Sequence, residues 1–92
     1  MISLAYLLEI RKHVEKTFEK IAKKDPMQEK AVKSKIRQIL EEPYRFKPLK
    51  RPMQGLRRVH CFGPFVLVYS VSEKQKTVVI EDYDHHDKIY RR

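Results

Sequence analysis

The spacing of apolar residues changes once along the chain, from a helical period to an alternating one. Between Lys12 and Lys24, Val14, Phe18, Ile21 and Ala22 fall at i, i+4, i+7 and i+8, which places them on one face of a helix. Lys24-Asp25-Pro26 breaks that pattern, with Asp25 suited to cap a new helix and Pro26 to its first position. Ala31, Val32, Ile36, Ile39 and Leu40 form a second apolar stripe that Pro43 ends, so an antiparallel helical hairpin is predicted. After an irregular connection over 44–55, segments 57–62, 65–71 and 77–83 are rich in Val, Ile, Phe and Tyr. Gly63-Pro64 and Ser72 to Lys76 supply the turns of a three-stranded antiparallel meander. Met1 to Ile10 fits either period: Leu4, Leu7 and Leu8 suit a helix, while Ile2, Leu4, Tyr6 and Leu8 alternate as a strand would.

Ninety-two residues, 41% of them apolar, predict one globular domain over 1–92 with a single modest core. The formal charge of +9 then changes the picture. It favours a polyanionic partner such as nucleic acid, although a solvated cationic surface or an acidic protein partner has the same signature. The one cysteine, Cys61, excludes an internal disulfide and reads as a small core side chain. The early apolar run is short and interrupted by Glu9, and no window reaches the length of a membrane span. No membrane association and a cytoplasmic location are therefore expected.

Chemistry-bearing groups concentrate in the second half. Arg58 and His60 share one strand face while Val59 and Cys61 share the other, the alternation of a half-buried strand. A cation on that outer face can stabilise a pentacoordinate phosphate; a wet sheet face has the same pattern. Histidine's unperturbed pKa lies near neutrality, so His85 and His86 suit proton transfer, or form a polar strand exit. Tyr90 offers an aromatic face for a base, or packs the chain end. Lys47, Lys50, Arg51 and Arg57, with Arg91 and Arg92, read as phosphate contacts or as solvated charges. Asp82, Asp84, His85, His86 and Asp87 carry metal-donor atoms, but their spacing matches no standard ligand pattern, so neither metal nor cofactor is expected.

From Leu40 onward these residues resemble the RelE/ParE superfamily of toxin–antitoxin toxins. The resemblance is carried by Glu42-Pro43, Leu49-Lys50, Gly55-Leu56-Arg57-Arg58-Val59, Gly63-Pro64-Phe65-Val66-Leu67-Val68-Tyr69 and His85-His86-Asp87-Lys88-Ile89-Tyr90. It implies an α+β fold: an N-terminal strand, the two-helix hairpin, then the meander, all strands in one small sheet. It also implies a ribosome-dependent mRNA endoribonuclease acting without metal. Arg58 and His60 would orient the phosphate, His85 and His86 would transfer protons, and Tyr90 would stack on a base. The implied partners are an acidic cognate antitoxin, the ribosomal decoding site and mRNA.

Two positions depart from the ribonuclease pattern. Val66 and His86 stand where those enzymes commonly carry arginine. Glu81, Asp82, Asp84 and Asp87 also place negative charge around the site. The competing expectations are a ParE-like inhibitor of DNA gyrase, against which His85, His86 and Tyr90 argue, and an inactive toxin-like RNA-binding domain.

Overall fold

The computed structural model describes residues 5–50 and 53–90. Arg51, Arg91, Arg92 and the first four residues of the ambiguous N-terminal segment lie outside them. The elements run β1 (Leu7–Ile10), α1 (Lys12–Lys24), α2 (Pro26–Glu41), β2 (Lys47–Pro48), β3 (Arg57–Phe62), β4 (Phe65–Ser72), β5 (Thr77–His85) and α3 (His86–Ile89). The five strands form one sheet in the order β1-β5-β4-β3-β2. β1 pairs parallel to β5, Leu7 opposite Thr77, and the other pairings are antiparallel. The α+β class matches the expectation, and the early segment is a strand where it is described. Two elements are additional: β2 within the connection read as irregular, and α3 directly after the last strand.

The hairpin follows from its junction. Asp25 closes α1 and caps α2, its Oδ1 accepting from the Gln28 N–H at 3.1 Å with Pro26 at the first turn. The same carboxylate accepts from the Gln28 side-chain amide at 3.2 Å, and Gln28 Oε1 accepts from the Tyr83 hydroxyl at 2.6 Å. A buried polar relay thus ties the hairpin turn to β5. Asp25→Ala is expected to cost about 1–2 kcal/mol in urea unfolding, since it removes a cap and loosens that relay. An unchanged midpoint would show that neither contributes.

Both helices lie on one face of the sheet. Val14, Val32, Ile36, Ile39 and Leu40 pack there against Val59, Leu67, Tyr69, Val78, Ile80 and Tyr83. Tyr69 is fully buried and donates to the Pro43 carbonyl at 2.6 Å, pinning the exit of α2 to the central strand. Cys61 is partly buried against this core, and burial pushes its thiol up to about 11. Tyr6 and Tyr44 both donate to the Glu73 carboxylate, tying the segment before β1 and the loop after α2 to one turn. Lys76 also donates to that carboxylate, and these three donors together hold Glu73 down at about 2.

The register of β4 against β5 slips between Val68 and Tyr69, so Glu81 is the extra residue of a bulge. Its carboxylate accepts from Arg11 Nε at 2.9 Å and Ser70 Oγ at 2.7 Å. Burial pushes Glu81 up, but these donors outweigh it and hold the group below the usual carboxylate range.

On the opposite sheet face Val66, Val68 and Ile89 are buried together, with Leu49, Met53 and Leu56 packed over them. This second apolar cluster holds the loop before β3 and the short α3 against the sheet.

Candidate active site

The face turned away from the long helices carries the predicted chemistry. Cross-strand partners share a face, so Lys47, Arg58, Val68 and Asp82 form one row across β2 to β5. His60, Val66 and Asp84 form the next. The valines are sealed beneath Ile89, Leu49, Met53 and Leu56, which leaves Lys47, Arg58 and His60 on one side of that seal.

Arg58 links the groups around it. Its Nη1 lies 3.4 Å from His60 Nε2, and its guanidinium sits 5.4 Å from the centroid of the Tyr90 ring. A guanidinium only donates, so His60 Nε2 is the acceptor and its proton sits on Nδ1. Tyr90 reaches this position because Ile89 plugs the outer cluster while the Tyr90 N–H bonds the His86 carbonyl at 3.1 Å. His86 and Tyr90 are therefore one helical turn apart on α3.

The two histidines differ in their surroundings. His85 ends β5 and caps α3: its Nδ1 accepts the Asp87 N–H at 3.2 Å. A neutral His85 then carries its proton on Nε2. His86 Nδ1 lies 2.8 Å from Asp87 Oδ1, so its Nδ1 bears the proton and its Nε2 is a free acceptor. The His86 N–H is itself held by the Pro64 carbonyl at 2.9 Å. The rings lie 5.0 Å apart, and His85 also meets the Phe65 ring edge-on. Asp87 is the group that sequence reasoning missed in this role, having counted it only as a metal donor and a nearby negative charge. The signal was a carboxylate directly after a histidine, which orients the ring only once α3 begins there.

The structure places the remaining predicted residues as follows. Lys47 and Lys50 are exposed, and Lys47 lies directly opposite Arg58. Arg57 points to the other face, donating to the carbonyls of Phe46 at 2.7 Å and Tyr44 at 3.3 Å. Its guanidinium also lies over the Tyr44 ring, so reaching a phosphate would mean releasing the loop after α2. The surrounding acids are engaged: Glu81 in the bulge, Asp82 with His13 Nε2 at 3.4 Å, and Asp84 with the His85 N–H at 2.7 Å. His85, His86 and Asp87 bring three donor atoms within 4.8 Å of one another, half-exposed and already used in capping and orienting contacts.

Residues 5–90 match the family described as ParE toxin of type II toxin–antitoxin system, parDE. An uncharacterised protein of Methanosarcina mazei is 51% identical over 85 residues, covering 92% of this chain and 99% of its own length. A Methanocaldococcus jannaschii protein named as a candidate toxin, RelE4, is 39% identical over 87 residues, covering 95% of this chain and 93% of its own. In the crystal structure of the RelBE2 toxin–antitoxin complex of Mycobacterium tuberculosis, one chain is similar with a TM-score of 0.74. It is 26% identical and covers 88% of this chain and 98% of its own. Among the described residues no helix is long and apolar enough to cross a membrane.

Proposed function

The chain belongs to the ParE toxin family of type II toxin–antitoxin systems, and on that premise we propose that it is a ribosome-dependent mRNA endoribonuclease of the RelE type. It acts in the cytoplasm as one toxin domain and is held inactive by an acidic cognate antitoxin. The observation that carries this reading is Arg58, which bridges His60 and the Tyr90 ring beside a histidine pair with opposite tautomers.

Each group has a role that its neighbours support. An mRNA phosphate sits against Arg58, with Lys47 and Lys50 on the flanking backbone. Tyr90 stacks on a splayed base and holds the nucleotide in line. His86 Nε2, a free acceptor because Asp87 holds the Nδ1 proton, takes the proton of the ribose 2′-OH. The oxygen attacks phosphorus, and the excess negative charge falls on oxygens facing Arg58. His85, as the imidazolium with its Nδ1 facing the Asp87 carboxylate 3.8 Å away, gives its Nε2 proton to the leaving 5′ oxygen and returns to the neutral ring, and a 2′,3′-cyclic phosphate remains. His60 keeps Arg58 aimed at the phosphate by accepting from it.

Added to translating ribosomes, the protein is expected to yield mRNA fragments with 2′,3′-cyclic or 3′-phosphate ends. His86→Ala and Tyr90→Ala should each slow cleavage about tenfold or more, the scale of one acid–base or positioning group. Val66, fully buried where the resembled ribonucleases carry arginine, favours a second reading as a non-nucleolytic toxin acting on DNA gyrase. Intact mRNA together with gyrase inhibition would establish that reading. Intact mRNA with tight, salt-sensitive ribosome binding would indicate an inactive RNA-binding domain.

A further inference from the structure

β5 ends and α3 begins within consecutive residues, and that junction gathers donor atoms that a straight strand would scatter. Neighbouring side chains of a strand point to opposite faces. Here His85 is the last residue of β5 and the cap of α3, and His86 is the first residue of that helix. The turn brings one donor atom each from His85, His86 and Asp87 within 4.8 Å of one another. The Nδ1 atoms of His85 and His86 stand 3.8 Å and 2.8 Å from oxygens of the Asp87 carboxylate. Tetrahedral zinc, with bonds of roughly 2.0–2.2 Å, sets its ligand atoms about 3.3–3.5 Å apart. Small side-chain rotations therefore bring all three donors to one ion.

Two imidazoles and a carboxylate suit zinc and not magnesium, which takes oxygen ligands in octahedral geometry. The local charge favours a cation despite the +9 of the whole chain. Thr77 to Asp87 hold the carboxylates Glu81, Asp82, Asp84 and Asp87 and no lysine or arginine. Both imidazoles are half-buried and Asp87 is exposed, so an ion from solvent can reach the cluster. We infer that His85, His86 and Asp87 form a zinc site whose occupation shuts off the proposed proton transfers. The shut-off rests on the cleavage reading; the binding does not.

The inhibition follows from the tautomers. Zinc takes the Nδ1 lone pair of His86, so the proton that Asp87 holds on Nδ1 moves to Nε2. The acceptor assigned to the 2′-OH proton is then gone. On His85, zinc replaces the Asp87 N–H as the partner of Nδ1, and the metal-bound ring no longer becomes the imidazolium. Starting from neutral rings, no proton leaves the pair; one shifts across His86.

The full chain, freed of metal, is titrated with zinc against a coloured chelator, and a single zinc ion per chain is expected. Asp87→Asn keeps the backbone N–H that caps α3 through His85. It and His85→Ala should each weaken binding at least about 10–100-fold, the loss caused by removing even an orienting partner of a ligand. Replacing His13 and His60, the other two histidines, by Ala should leave the affinity unchanged. Nitrogen NMR should find the His86 proton on Nδ1 without metal and on Nε2 with it, the signal being assigned by its loss in His86→Ala. With translating ribosomes, zinc at the concentration that fills the site should slow cleavage about tenfold or more, and a chelator should restore it. The residual cleavage by Asp87→Asn should resist that concentration, which separates this site from zinc bound by the ribosome. Binding that follows His13 or His60, or that Asp87→Asn and His85→Ala leave undiminished, would overturn the site. A His86 proton that stays on Nδ1, or zinc that speeds cleavage, would overturn the shut-off. Should mRNA stay intact without zinc, the cleavage reading falls, and the titration and ring spectra alone decide the site.

Discussion

Arg58→Ala is expected to lower kcat for ribosome-dependent mRNA cleavage by about 10²–10³-fold, the loss seen when one preorganised charge-stabilising donor is removed. KM should change far less, because the lost contact is made chiefly to charge that develops during attack. Single-turnover cleavage on programmed ribosomes separates the two quantities. Three dependencies converge on this one side chain. It contacts His60, it lies against the Tyr90 ring, and it shares a row with Lys47. Arg58→Lys should restore only a small part of the rate, since an ammonium lacks the planar fork that can both face a phosphate and lie against an aromatic ring. Folding should be preserved, because Arg58 is only partly buried and its contacts are at the surface. A rate within threefold of the unmodified protein would show that Lys47 or another cation carries the charge, and would remove Arg58 from the mechanism.

Val66→Arg, which restores the residue common in the resembled ribonucleases, should destabilise this protein by about 3–5 kcal/mol rather than improve its activity. Val66 has no exposed surface and is enclosed by Val68, Ile89, Leu49, Met53 and Leu56. A guanidinium there either stays buried without a partner or pushes Ile89 out of its socket. The second route would also detach α3, carrying His86 and Tyr90 away from Arg58, so cleavage should fall as well. Urea unfolding and cleavage assays on the same preparation test both parts. A stability loss under about 1 kcal/mol with faster cleavage would mean that the outer cluster yields easily and that the arginine position remains usable.

Much of the fold was legible because its period was unambiguous. The stripes of α1 and α2, the Lys24-Asp25-Pro26 junction and the three later strands follow from side-chain spacing alone. Tyr69 and Tyr83, whose strand positions allow either the core or a sheet face, are both buried in the core. β2 was not, because two residues ending in proline form a strand only by pairing with Arg57 and Arg58 at the sheet edge. α3 was hidden for a related reason, since four residues show no helical period and owe their shape to a histidine cap and the Ile89 socket. The first ten residues fitted both periods equally; partnership with β5 decides for a strand over Leu7–Ile10.

The candidate site was legible in part for equally physical reasons. Alternation along β3 placed Arg58 with His60; the structure puts Arg57 with Val59 on the helix side, where it holds the loop after α2. Composition alone had grouped Arg57 with the other basic residues. The histidines could be found by sequence but not given roles, because a tautomer is set by hydrogen-bond partners. Asp87 supplies both, with its backbone N–H to His85 and its carboxylate to His86.

The parallel pairing of β1 with β5 has a consequence for the order of folding. Leu7 and Thr77 are seventy positions apart, so their pairing is among the most non-local in the described residues, whereas the α1–α2 hairpin is local. Loop-closure entropy delays such pairings until nearer contacts are in place. β1 therefore joins the sheet only after β5 is in place, and β5 leads directly into His85 and α3.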